Sequence, residues 1–167
     1  MADASPRQPW LEPSLRVPLH WGFARSRSWG GLTLIIAGAV AMVGSTYYSQ
    51  PIFVGGIVMH LLGWCVMPAA GWRRAVALVP SLVAVAALLG GPQFMFLLVL
   101  PAAAWLLVRH RPGRSYATLI VAAAGTFAVS RAFSAFADMP LALAIGLAAV
   151  VASAWLARAL DALIPTR

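Results

Sequence analysis

The chain has 167 residues, of which 62% are hydrophobic and only 10% are charged, against roughly 45–50% and 25% in ordinary soluble domains. This composition excludes a water-soluble domain and predicts helices that cross a lipid bilayer, because a spanning helix needs roughly 20 apolar residues. The net charge is +8, and its arginines are spread between apolar stretches. Such a distribution favours contact with an anionic membrane face over binding to nucleic acid.

Residues 1–28 form a predicted tail that contains prolines and arginines and lies in the cytoplasm or at the membrane interface. Four prolines argue against a long helix before Val17. Trp, Leu and Arg alternate along the rest of the tail, a composition suited to an anionic membrane surface. A disordered tail is the alternative.

Six apolar segments follow in a predicted transmembrane domain at residues 29–161, and residues 162–167 form a short C-terminal end. The third and fourth segments are the shortest, at about 16 residues or roughly 24 Å each, and a re-entrant pair is their alternative. The predicted helices run from Gly30 to Tyr48, Ile52 to Ala70, Ala75 to Gly90, Gln93 to Val108, Tyr116 to Phe136 and Leu141 to Leu160.

The breaks between the segments alternate in charge. The first, third and fifth contain a proline and no basic residue, whereas the second and fourth contain two and three arginines. An excess of arginine in short loops marks the cytoplasmic side. The sequence therefore predicts an all-α membrane protein, a bundle of six transmembrane helices arranged as three hairpins, with both termini cytoplasmic.

Small residues recur at four-residue spacing in three of the segments. Such stripes let helix backbones approach closely, so they predict contact faces towards sister helices or towards another subunit. The three stripes are Ala37, Ala41 and Ser45, then Ala124, Ala128 and Ala132, then Ala144, Ala148 and Ala152.

Three polar residues form a candidate intramembrane site. His60 lies nine residues after Pro51, or roughly 13 Å deep at 1.5 Å per residue, where ionisable groups are functional candidates. It is interpreted either as a proton-relay point or as a structural histidine bonded to a neighbouring helix and stacked near Trp64. Arg131 either extends to the outer headgroups or pairs with Asp138, seven residues later.

The most concentrated basic stretch contains Arg109, Arg111 and Arg114, a candidate loop for lipid headgroups. A loop that only sets topology explains the same pattern. Paired carboxylates, H-E-x-x-H, G-x-S-x-G and P-loop motifs are missing from the sequence, so it predicts no catalytic residue, no cofactor and no metal site.

The runs GWCVMPAAGWRR, GPQFMFLLVLPAAAWLLVRHRPGRSY and ASAWLARAL resemble those of uncharacterised multi-pass membrane proteins of high-GC actinobacteria. The resemblance covers about two thirds of the chain and implies six spans and a bacterial plasma-membrane location. It implies no activity, because the shared runs are packing and loop motifs.

The resulting functional prediction is a non-catalytic accessory or scaffold protein. Its small-residue faces would bind a second copy or a larger membrane complex. The alternative is a small transporter or permease subunit in which His60 and Arg131 line or gate the path.

Overall fold

A computed structural model describes residues 22–45 and 47–163. Within these residues the structure is all-helical, with six α-helices and short 3-10 segments and without a β-strand, which confirms the predicted helical class. The helices are α1 (Ala24–Val43), α2 (Gln50–Val66), α3 (Gly71–Ala87), α4 (Val99–Val108), α5 (Leu119–Ala132) and α6 (Met139–Leu163).

Several helix boundaries differ from the prediction, and two of the differences have a local structural cause. Helix α1 begins at Ala24, inside the predicted tail at residues 1–28, because Arg27 is buried against the end of α2. Helix α2 ends at Val66, and Met67 has the extended backbone expected for a residue that precedes proline. Pro68 thus ends the helix that was predicted to continue to Ala70. The remaining tail at residues 1–21 and the C-terminal residues 164–167 lie outside the described residues.

Three helical stretches of the described chain are long and apolar enough to cross a membrane: Ala24–Val43, Gly71–Gly90 and Phe136–Leu163. Two shorter apolar helical stretches are Gln50–Val66 and Pro92–Val108. The third segment, expected to be short, reaches 20 residues because it begins at Gly71, four residues before the predicted Ala75. A 3-10 turn at Leu88–Gly90 continues α3 to the predicted end.

Helices α1 and α2 pack antiparallel through glycines. Gly31 lies against Gly63 and Gly38 lies against Gly56, so closely that a Cβ atom on Gly38 would be 2.5 Å from the carbonyl oxygen of Gly56. The packed positions follow the same spacing of four, three and four residues in both sequences. They are Gly31, Ile35, Gly38 and Met42, and then Gly56, His60, Gly63 and Met67.

The predicted stripe on α1 is therefore not the face on which α1 packs against α2. Ala37, Ala41 and Ser45 are only half-buried, whereas Gly31 and Gly38 are buried. The reason is size: glycine lets two helix backbones touch, and alanine at the same positions would hold them apart.

The remaining helices pack mainly as α3 on α4 and α5 on α6. Buried apolar side chains form two clusters at opposite ends of these pairs. One cluster joins α1, α2, α3 and α4 around Trp64, Met67 and Val108. The other joins the 3-10 turn after α3 and the 3-10 segment before α4 to α5 and α6 around Leu88, Met95 and Met139.

Candidate functional site

His60 lies in a closed hydrogen-bonded cluster between α1, α2 and α3. Its Nδ1 is 3.0 Å from the carbonyl oxygen of Ile35, which can only accept, so Nδ1 carries the proton. Its Nε2 then accepts from the hydroxyl of Ser81 at 2.9 Å and from the indole N–H of Trp64 at 3.3 Å. Trp64 also donates to Ser81 at 3.1 Å, so every polar atom in the cluster has a partner.

Among the described residues, none of the hydrogen-bond partners of His60 carries an acid or a base that titrates near neutral pH. The imidazole is 1% exposed, and Ser81 and Trp64 are also buried. A buried polar group with all its hydrogen bonds made fixes the relative positions of the helices that supply them. The cluster therefore links the α1–α2 hairpin to α3.

The hydrogen bonds of His60 with the described residues involve neither Arg131 nor Asp138. Arg131 is exposed in the last turn of α5, which ends at Ala132 and not at the predicted Phe136. Asp138 is exposed in the 3-10 turn before α6. No ion pair joins them in the part of the chain that the structure describes. A positive charge in the last turn interacts favourably with the helix dipole.

The basic loop between α4 and α5 is bound to the rest of the protein. Arg111 Nη1 lies 2.7 Å from Asp161 Oδ2, and both side chains are buried. Arg114 Nε lies 3.7 Å from Asp161 Oδ1. Arg109 donates to the Ser28 hydroxyl at 3.2 Å and packs over the ring of Trp105. These contacts hold the predicted headgroup loop against α1 and α6.

Asp161 is a buried acid that the sequence analysis did not identify. It accepts a hydrogen bond of 2.5 Å from the hydroxyl of Ser115, in addition to its pair with Arg111. A signal was present: Ser153, Ala157 and Asp161 recur at four-residue spacing, which places them on one face of α6. All three are buried.

Three more arginines bond the carbonyl groups at helix C-termini. Arg27 Nε lies 2.9 Å from the carbonyl oxygen of Val66, and Arg74 Nη1 lies 2.6 Å from that of Cys65. Arg73 Nη1 lies 2.8 Å from the carbonyl oxygen of Leu107. The last carbonyls of a helix lack intrahelical donors and carry partial negative charge, so these contacts stabilise the ends of α2 and α4.

His110 occupies the turn after α4 with a left-handed backbone, at a φ of 55°. Burial, together with the positive charge of Arg73, lowers the pKa of its imidazole from the usual value. Its Nε2 atom is buried and has no hydrogen-bond partner among the described residues. Arg73 therefore lies close enough to His110 to disfavour a second positive charge there.

Two apolar grooves open between neighbouring helices. One, of about 200 Å³, lies between α3 and α4 and reaches Tyr116. The other, of about 380 Å³, is lined by Phe96, Val99, Ala123, Ala124 and Phe127.

His60, Arg73, Asp161 and Ser153 all make contacts between helices, whereas other polar side chains such as Thr33 and Ser130 bond their own helix. Among residues 22–45 and 47–163, no three side chains of His, Cys, Asp or Glu come together as a metal site. Comparisons of the chain with protein-family models, with curated proteins and with solved structures give no match.

Proposed function

We propose that this is a six-span protein of a bacterial plasma membrane that acts as a non-catalytic accessory or scaffold component. Its outward small-residue faces bind a second copy or a larger membrane complex. The three long apolar helices support a membrane location. The resemblance to actinobacterial multi-pass proteins, carried by the runs quoted above, agrees with the plasma membrane.

The contacts of the arginines support three hairpins with both termini cytoplasmic. Four arginines each bond a residue that is distant in sequence: Arg27, Arg73, Arg109 and Arg111. These bonds bring the starts of α1 and α3 to the same end of the protein as the ends of α2, α4 and α6. Exposed tryptophans accompany them at this end, as at a membrane interface: Trp29, Trp72 and Trp155.

Cysteine labelling tests this orientation. In a Cys65→Ser background, Gln50→Cys is expected to react with an impermeant thiol reagent in intact cells, whereas Gly113→Cys is expected to react only after the membrane is opened. Both sites accept the change, because Gln50 is exposed and a Cβ at Gly113 meets no atom within 4 Å. Reaction of Gly113→Cys alone in intact cells would reverse the orientation.

One observation carries the scaffold function: the alanine stripes of α5 and α6 are not covered by residues 22–45 and 47–163. Ala128 and Ala132 on α5, and Ala144, Ala148 and Ala152 on α6, are all exposed. Helices in lipid associate through small residues that allow close packing. The exposed alanines of these two neighbouring helices would therefore allow a helix of another protein, or of a second copy, to pack closely against them.

A bulky residue in this stripe tests the proposal. Ala148→Phe is expected to reduce recovery of the partner, or of the homo-oligomer, by about tenfold, because overpacking a helix contact costs about 1–3 kcal/mol. The matched control is Leu147→Phe, an adjacent exposed position that faces a different direction. The readout is a mild-detergent pull-down from the native membrane with intact-complex mass determination. Undiminished recovery with Ala148→Phe, or recovery of the wild-type monomer alone, would contradict the scaffold function.

The transporter alternative has less support from the geometry. Both ring nitrogens of His60 are engaged in hydrogen bonds, and Arg131 is exposed at the end of α5. These contacts favour a structural role for His60 over a relay role.

A further inference from the structure

The groove between α3 and α4 is apolar along its length and has a single polar side chain in its lining. Small residues on both helices leave a channel of about 200 Å³ between them. Its shape suits a flexible apolar chain. The lining includes Val76 and Pro80 of α3, Leu100, Ala103 and Leu107 of α4, and Tyr116.

Arg73 places a positive charge at one end of this groove. Its Nη1 is 2.8 Å from the carbonyl oxygen of Leu107, a residue of the groove lining, and its guanidinium packs over the ring of Trp72. No carboxylate of the described residues pairs with Arg73, in contrast to Arg111, which is neutralised by Asp161. A guanidinium has five N–H donors, so several remain for an anion after the bond to Leu107.

We propose that this groove binds one acyl chain of an anionic phospholipid, whose phosphate is held by Arg73 and the hydroxyl of Tyr116. The apolar lining selects a lipid over a free phosphate, and the uncompensated charge selects an anionic headgroup over a zwitterionic one. The site differs from the Arg109, Arg111 and Arg114 loop that the sequence suggested, because that loop is held by Asp161 and Ser28. The inference rests on the proposed membrane location and not on the scaffold role.

Native mass spectrometry of the full chain tests the site. Protein extracted in a nonionic detergent is mixed with equal amounts of phosphatidylglycerol and phosphatidylcholine. The wild type is expected to retain one phosphatidylglycerol, and excess inorganic phosphate is expected not to displace it. Displacement by phosphate, or equal retention of the two lipids, would overturn the proposal.

Two substitutions test separately the groove that would bind the acyl chain and the arginine that would bind the headgroup. Ala103→Phe fills the groove and is expected to reduce lipid retention by about tenfold. Arg73→Gln is expected to abolish the preference for phosphatidylglycerol. The controls are Val79→Phe, an exposed position on α3 outside the groove lining, and Arg158→Gln, an exposed arginine on α6. Both are expected to behave as the wild type.

If Ala103→Phe loses its helical circular-dichroism signal, Ala103→Leu is used in its place, because leucine adds less volume to the groove than phenylalanine does. Wild-type retention of phosphatidylglycerol by a folded groove-filled variant would overturn the site. Failure of the membrane location gives a different result: the wild-type chain would then be recovered from cells without detergent, before any lipid is added.

Discussion

Gly38→Ala is expected to force α1 away from α2 and to lower the free energy of unfolding by about 3 kcal/mol, near the upper end for overpacking. The added Cβ would lie 2.5 Å from the carbonyl oxygen of Gly56 and from the backbone nitrogen of His60. Backbone atoms cannot move aside by changing a rotamer, so the helices themselves must separate. Separation would also weaken the bond between His60 and Ile35.

The unfolding of this variant is measured by circular dichroism in nonionic micelles to which increasing dodecyl sulfate is added. Gly30→Ala and Gly55→Ala are matched controls on α1 and α2, because a Cβ at either position meets no atom within 4 Å. They are expected to be neutral or stabilising, since alanine favours a helix over glycine by about 1 kcal/mol. Equal unfolding of Gly38→Ala and Gly30→Ala would refute the glycine contact.

Asp161→Leu is expected to destabilise the protein by about 3–5 kcal/mol, because it leaves the buried charge of Arg111 without its carboxylate. Asp161 is 4% exposed and also accepts from Ser115, so Arg111 and Ser115 both lose this carboxylate. The same micelle unfolding measures the change. Asp138→Asn is the control, since Asp138 is exposed and has no ion pair among the described residues.

A double variant distinguishes a lost pair from a general loss of packing. Arg111→Met combined with Asp161→Leu removes both charges, and replacing a buried pair by apolar residues is often neutral. The double variant is therefore expected to recover most of the stability lost in Asp161→Leu. If the two changes simply add, the ion pair is not the cause.

The number and the order of the helices are predictable from the sequence, because short polar breaks separate apolar runs. The breaks at Pro51, Pro92 and Pro140 lie at helix starts in the structure, where proline is well tolerated. The membrane orientation stays a prediction, since it rests on the charge of the loops.

The packing face of α1 is not predictable in the same way. Alanines four residues apart and glycines seven residues apart both occur on this helix, and each pattern suits close contact. The choice depends on which residues of α2 lie opposite. Gly56 and Gly63 have the same spacing as Gly31 and Gly38, and only their pairing identifies the contact.

The burial of His60 was predictable from the sequence, but the partners of the buried polar residues were not, because those partners lie mainly on other parts of the chain. The burial of His60 follows from its place in an apolar run, but its partner Ser81 lies 21 residues away on another helix. Asp161 directly follows the predicted end of the last helix at Leu160, outside the apolar run, and nothing in its local sequence indicates a buried partner. Its burial follows from the arginine loop, which folds over the end of α6.

The matching spacing in α1 and α2 makes their hairpin nearly two-fold symmetric, with one exception at its centre. Ile35 occupies in α1 the position that His60 occupies in α2. A fully symmetric pair would present two equivalent sides to the third helix. The imidazole makes the sides unequal, because it bonds Ser81 of α3. One histidine thus breaks the symmetry of the pair and ties α3 to one of its two sides.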